Sequence, residues 1–196
     1  MNRFNIIASI VFLALGAVTA SAQAADRYSG TVLSFGSGMN TRMVTANFEL
    51  NVKGRTSPED TQRFLGLLQE GDINELRDEL GKEDLGSFSV GPRVATTINA
   101  VFESDVDGKR RIFAVFERWT HFAEFRSGSR STQYPFGVIE LYIDPATGKG
   151  EGTYIAAAKI RWKKEGNNGQ PQIDIENFGT YPARLMGVTQ TGRQLR

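Results

Sequence analysis

The sequence predicts an α+β domain: a curved antiparallel β-sheet or partly closed barrel of about eight to ten strands, with a two-helix hairpin packed on one side or end. Three observations carry this expectation. Apolar and polar residues alternate with a period of two along much of the chain, most clearly at Val44, Ala46, Phe48, Leu50 and Val52. Turn-forming clusters separate such runs, as at Asp107-Gly108 and at Asp144-Pro145-Ala146-Thr147-Gly148. Residues 57–81 break the pattern and change to helical spacing.

In chain order, residues 1–24 read as a signal peptide. Arg3 supplies a positive head, Ile6 to Val18 form an uncharged apolar run, and Ala22 and Ala24 are the small residues expected before a cut. As a helix that run spans about 20 Å, short of a bilayer core of roughly 30 Å, so a retained anchor is the weaker reading. The remainder, residues 25–196, is long enough for one domain with a sizeable core. Of the 23 basic residues one, Arg3, belongs to the leader, which leaves 22 against 22 acidic residues and no net charge. A balanced chain has no general attraction for nucleic acid or anionic lipid. With no Cys, neither disulfides nor thiolate chemistry is available. No Asn-x-Ser/Thr sequon is present, which fits a periplasmic or secreted bacterial product.

Within the domain, Tyr28 to Phe35 is a short strand ended by Gly36-Ser37-Gly38, and the alternating run from Val44 is a half-buried strand ended by Gly54. Ser57-Pro58-Glu59-Asp60 then starts a helix, joining a capping hydroxyl, a proline whose missing N–H is harmless there, and acids near the positive dipole end. Phe64, Leu65, Leu67 and Leu68 form its stripe. Gly71 closes it, and Asp72 with Glu75 opens a second helix carrying Ile73, Leu76 and Leu80. A single kinked helix is the alternative.

Phe88 and Val90 precede Gly91-Pro92, after which Val94, Thr96, Ile98, Ala100 and Phe102 share one face of a longer strand. Asp107-Gly108 suits a type I′ hairpin and returns the chain through Ile112 to Trp119, apolar on both faces and therefore central, beneath the helices. Residues 120–135 have no clean period. A strand alternating Ile139, Leu141 and Ile143 against Glu140, Tyr142 and Asp144 follows, then strands over 153–163 and 172–177 joined by a turn at 165–170. Symmetric pairing of these two sets Arg161 opposite Asp174 and Lys159 opposite Glu176, with Ile160, Trp162, Ile173 and Ile175 on the other face. The basic row Lys159, Arg161, Lys163 thus reads as a solvated, answered face rather than an anion site. Ala183 to Val188 is expected as a final edge strand entered through Pro182.

Gly150, Gly152, Ala156 and Ala158 are expected to point one way, letting the Leu-rich helices approach closely. The sharper reading of that stripe is a ligand cavity between sheet and helices, with Gly152, Ala156, Ala158 and Leu68 as its binding residues. For catalysis the candidates are His121, Glu124 and Arg126: a His–carboxylate pair to move protons and a guanidinium to stabilise an anion. The alternative is a half-exposed segment whose charges pair locally. One His argues against a conventional His-rich zinc site, and no metal or cofactor is expected. A phosphate loop ending at Gly148-Lys149 would need Gly at Ile143 and Ser or Thr at Gly150. Ser37 lacks the first Gly of a nucleophile elbow.

In Tyr134-Pro135-Phe136-Gly137-Val138-Ile139-Glu140-Leu141, Gly148-Lys149-Gly150-Glu151-Gly152-Thr153, Ala157-Ala158-Lys159-Ile160 and Ile175-Glu176-Asn177-Phe178-Gly179, the chain resembles a family of exported bacterial proteins of unknown function. The resemblance implies no substrate, cofactor or catalytic residue. The resulting expectation is an exported, periplasmic or secreted, non-enzymatic binding or structural module of the cell envelope. Its partner would be a small apolar ligand or an envelope protein, without nucleic acid and without stable membrane insertion after signal cleavage. The alternatives are a hydrolase-type enzyme using His121 and Glu124, and a small outer-membrane barrel.

Overall fold

The computed structural model describes residues 25–35, 43–118, 126, 130–163, 172–179 and 181–193. The leader, His121 and Glu124 lie outside these residues. Alternation builds the strands β1 (Asp26–Phe35), β2 (Met43–Val52), β3 (Gly86–Val90), β4 (Thr96–Ile98), β5 (Ala100–Val106), β6 (Lys109–Glu117), β7 (Phe136–Ile143), β8 (Lys149–Lys163), β9 (Gln172–Asn177) and β10 (Ala183–Arg193). The change of period builds α1 (Pro58–Glu70) and α2 (Ile73–Leu80) between β2 and β3.

All strand pairs are antiparallel, in the order β4-β3-β2-β1-β10-β8-β7-β6-β5, with β9 pairing β8 beyond the reach of β10. This hydrogen-bonded path is open, yet its two ends, β4 and β5, are consecutive in the chain and separated only by Asn99. The sheet therefore curls into a partly closed barrel with an α-hairpin outside it. Asn99 is the corner. Its amide donates to the Glu83 carbonyl at 3.0 Å and its side-chain oxygen accepts from the Glu117 N–H at 2.8 Å, so a buried polar residue supplies the bonds the broken ladder lacks.

That corner corrects the expectation of one long strand with Val94 to Phe102 on a single face. Ile98 and Val101 point into the barrel, whereas Ala100 and Phe102 face the helices, and Val94 is in solvent. The last strand is a second correction: it runs to Arg193 and lies between β1 and β8 rather than at an edge. Pairing the two ends of the domain removes two edges that would otherwise be exposed.

The barrel interior is filled by side chains of the strands other than β9, among them Tyr28, Phe48, Leu50, Phe88, Ile112, Phe116, Leu141, Ile143 and Leu185. The outward residues of β2, Thr45, Asn47 and Glu49, are exposed. β6 is apolar on both faces as predicted: Ile112, Ala114 and Phe116 enter the barrel, and Phe113 and Val115 meet the helices. Phe64, Leu68, Leu76 and Leu80 complete this second core, against Val138, Ile155, Ala158 and Ile160. Gly71, at φ 81°, ends α1 in the left-handed region, so the segment is two helices and not one kinked helix. Ser57 accepts from the Asp60 N–H and Asp72 from the Glu75 N–H, each at 3.0 Å, as their spacing predicted.

The Asp107-Gly108 turn has positive φ at both residues, as a type I′ hairpin requires. The β8–β9 register also matches expectation: Arg161 opposes Asp174, Lys159 opposes Glu176, and Trp162 opposes Ile173. The Arg161 guanidinium bonds diagonally to Glu176 instead of straight across to Asp174.

A candidate binding cleft at the mouth of the barrel

The two ends of the barrel differ in kind. At the start of β1, Asp26 accepts from Arg55 Nη2 at 2.7 Å and from Gln190 Nε2 at 2.9 Å, while Arg55 Nε donates to Glu103 at 2.7 Å. Arg110 reaches the same group, donating to the Tyr28 hydroxyl and to Gln190. Two carboxylates and two guanidiniums thus balance, and this end is closed by polar side chains. Burial holds the Tyr28 phenol far above its ordinary pKa, although Arg110 pulls the other way.

At the opposite end the inward alternation of β2 continues past its pairing with β3, while β1 still flanks it. Phe48 is buried, Ala46 is half-buried and Val44 is 56% exposed, so an apolar stripe runs from the core into solvent. This stripe forms one wall of a cleft of about 450 Å³, within the range of roughly 300–1,000 Å³ typical of small-ligand sites. Val32 and Ser34 of β1, Val90 of β3, Ala156 and Ala157 of β8, and the segment from Tyr181 to Ala183 supply the other walls. Tyr154 is its floor. The Tyr154 ring lies 5.1 Å from that of Phe88, which in turn lies 6.1 Å from Phe48, so the floor rests on packed aromatics of the barrel core.

The rim is held by the chain on both sides. The Gly91 N–H donates to the Asn47 carbonyl at 2.7 Å, fixing the Gly91-Pro92-Arg93 turn against β2. The Phe178 N–H donates to the Ala157 carbonyl at 2.9 Å, and its ring lies 5.1 Å from that of Tyr134. Tyr134 in turn donates to Glu176 at 2.6 Å, a bond that, together with Arg161, holds the Glu176 carboxyl below its usual range. Phe178 and Tyr181 remain 42% and 62% exposed at this rim, beside Val44.

The polar lining is one-sided. Arg93, Tyr154, Asn177 and Ser34 border the cleft, and among the described residues no Asp or Glu does. Among the described residues Arg93 has no carboxylate partner. Burial raises the Tyr154 phenol above its ordinary pKa, so it stays protonated at neutral pH, while Arg93 and Arg118 are near enough to oppose the shift.

The predicted small-residue stripe does not form one surface. Facing β7, β8 shifts register between Ile155 and Ala158, a bulge at the run Ala156-Ala157-Ala158 that turns the strand over. Gly150 and Gly152 consequently oppose Ile143 and Leu141, away from the helices, and Ala158 packs beneath them with Leu68. A Cβ on Gly152 would stand 2.2 Å from the Glu140 carbonyl oxygen, so its missing side chain is filled by close strand contact and leaves no cavity. Of the four residues named for ligand binding, Gly152, Ala156, Ala158 and Leu68, only Ala156 lines the cleft. Of the catalytic candidates, Arg126 is exposed, and His121 and Glu124 fall outside the described residues. No group of three or more potential metal ligands occurs among the described residues, and no helix there is long and apolar enough to cross a membrane.

No protein-family model matches the chain, and no curated protein or solved structure matches it.

Proposed function

We propose that the protein is an exported, non-enzymatic binding module of the cell envelope that takes a small, largely apolar ligand into the cleft at the open mouth of its barrel. The observation that carries this reading is the placement of exposed apolar surface. Val44, Phe178 and Tyr181, three of the exposed large apolar residues among those described, line the cleft. Water-exposed apolar groups gathered around one concavity mark a ligand or partner surface, whereas single ones need no explanation. The polarity of the wall supports a water-facing barrel: apolar inside and, on β2, polar outside, the reverse of the lipid-facing band of an outer-membrane barrel.

The test is to obstruct the cleft without disturbing the core. Ala156 is exposed and lines the cleft, so Ala156→Trp places a large ring there. The neutral apolar probe N-phenyl-1-naphthylamine should bind the wild-type protein saturably, and the variant should bind about tenfold or more weaker, with an unchanged melting temperature. Equal binding by both proteins would overturn the reading. Under the same reading, His121→Ala leaves probe affinity unchanged, and a loss would favour a site built on His121 and Glu124.

A further inference from the structure

We infer that the ligand of this cleft is a single-chain amphiphile with one anionic headgroup, its alkyl chain lying along Val32, Val44, Ala46 and Val90 and its carboxylate or similar anion held at the rim by Arg93. The inference rests on the cleft being the binding site and adds the chemistry of what fills it. The walls of the cleft combine aliphatic side chains with the rings of Tyr154, Phe178 and Tyr181, and among the described residues its lining carries a single formal charge, the Arg93 guanidinium. Among the described residues no acid borders the cleft to neutralise that charge and no carboxylate pairs with it.

Arg27 and Arg184 likewise have no carboxylate partner among the described residues, but neither borders the cleft. Arg55, Arg63, Arg77, Arg110, Arg111 and Arg161 each bond a carboxylate within the protein. Arg93 instead sits on a turn anchored by the Gly91–Asn47 bond, at the edge of an apolar concavity. A guanidinium presents a planar fork that matches a carboxylate through two parallel bonds. The Tyr154 hydroxyl also has no hydrogen-bond partner among the described residues and borders the same cleft, which makes it a second donor for the headgroup. A cation would meet Arg93 as a like charge, and a doubly charged headgroup would find one guanidinium where it needs two.

The experiment compares decanoate, decanol and decyltrimethylammonium as competitors of N-phenyl-1-naphthylamine, below their aggregation concentrations. Decanoate should displace the probe at lower concentration than decanol, and the cation should be weakest. Each methylene added from octanoate to decanoate should tighten binding about fourfold until the cleft is full. Arg93→Gln should weaken decanoate about three- to tenfold while leaving decanol and the melting temperature unchanged, because Arg93 is exposed. Arg93→Lys should recover part of the loss. Decanol binding as tightly as decanoate to the wild-type protein, or Arg93→Gln weakening both alike, would overturn the anionic assignment and leave the cleft as an apolar site. Failure of all three competitors and of the probe would overturn the cleft itself.

Discussion

Replacing Gly152 with Ala adds one methyl group, and its cost follows from the barrel geometry. The new Cβ would lie 2.2 Å from the Glu140 carbonyl oxygen and 2.7 Å from Leu141 Cδ2. Leu141 can rotate, but the carbonyl belongs to the β7 backbone, so β7 and β8 must separate by about 1 Å to restore ordinary contact. Overpacking of this kind costs about 1–3 kcal/mol, offset by about 0.4–1 kcal/mol from the lower entropy of the unfolded chain. At about 2–4 °C per kcal/mol for a domain of this size, the melting temperature should fall by up to about 10 °C. Gly66 is the internal control. It lies inside α1, and a Cβ there meets nothing within 4 Å, so Gly66→Ala should stabilise by about 0.5–1 kcal/mol. Thermal unfolding followed by circular dichroism reads both variants. The reasoning is refuted if Gly152→Ala melts at or above the wild type, or if the two variants shift in the same direction.

Asp26→Ala at the closed end leaves Arg55 and Arg110 with only Glu103 between them; urea unfolding should show a loss of about 3–5 kcal/mol, and a loss under 1 kcal/mol would mean the end is not sealed by this cluster. Burial raises the phenols of Tyr28 and Tyr154 above their unfolded value of 10.0. Their contribution is therefore complete below pH 10 and is lost as pH rises beyond it, by at most about 1.4 kcal/mol per pH unit for each. Denaturant midpoints measured from pH 9 to 11.5 should fall along that slope, and a flat profile would contradict the burial of both rings.

Local features were readable from the residues alone, and long-range ones were not. The capping hydroxyl of Ser57, the Asp107-Gly108 turn and the charge pairing that set the β8–β9 register all act within a few residues or across one hairpin, so their signals sit side by side in the chain. The place of β10 depends on a partner, β1, more than 150 positions away, as in the pairing of Asp26 with Arg193. Periodicity records which face a strand buries and is silent on its neighbour. The β8 bulge falls on three successive alanines, where there is no alternation from which to read a change of phase. Asn99 stands as a polar residue within an apolar run, and its role as a corner appears only once Glu83 and Glu117 approach it.

The cleft was hidden for the same reason. Its walls come from β1, β2, β3, β8, the end of β9 and the entry to β10, and no two of those segments adjoin in a way that marks a site. Val44 and Ala46 carry the alternation expected of core, and only the end of the barrel makes them a ligand wall. A signal was present in the exposed Gly91-Pro92-Arg93 turn and in Phe178 and Tyr181, aromatics flanking Gly179 at a loop. The small-residue stripe drew the site to the helix side instead, where Leu68 and Ala158 are packed.

The most direct measurement is a methyl nuclear magnetic resonance titration of the purified protein with N-phenyl-1-naphthylamine. Shifts should concentrate at Val32, Val44, Ala46, Val90 and Ala156 and leave Leu68, Leu76 and Ile160 in place. Shifts centred on the helix-side residues, or saturation with no movement at the mouth, would contradict the account.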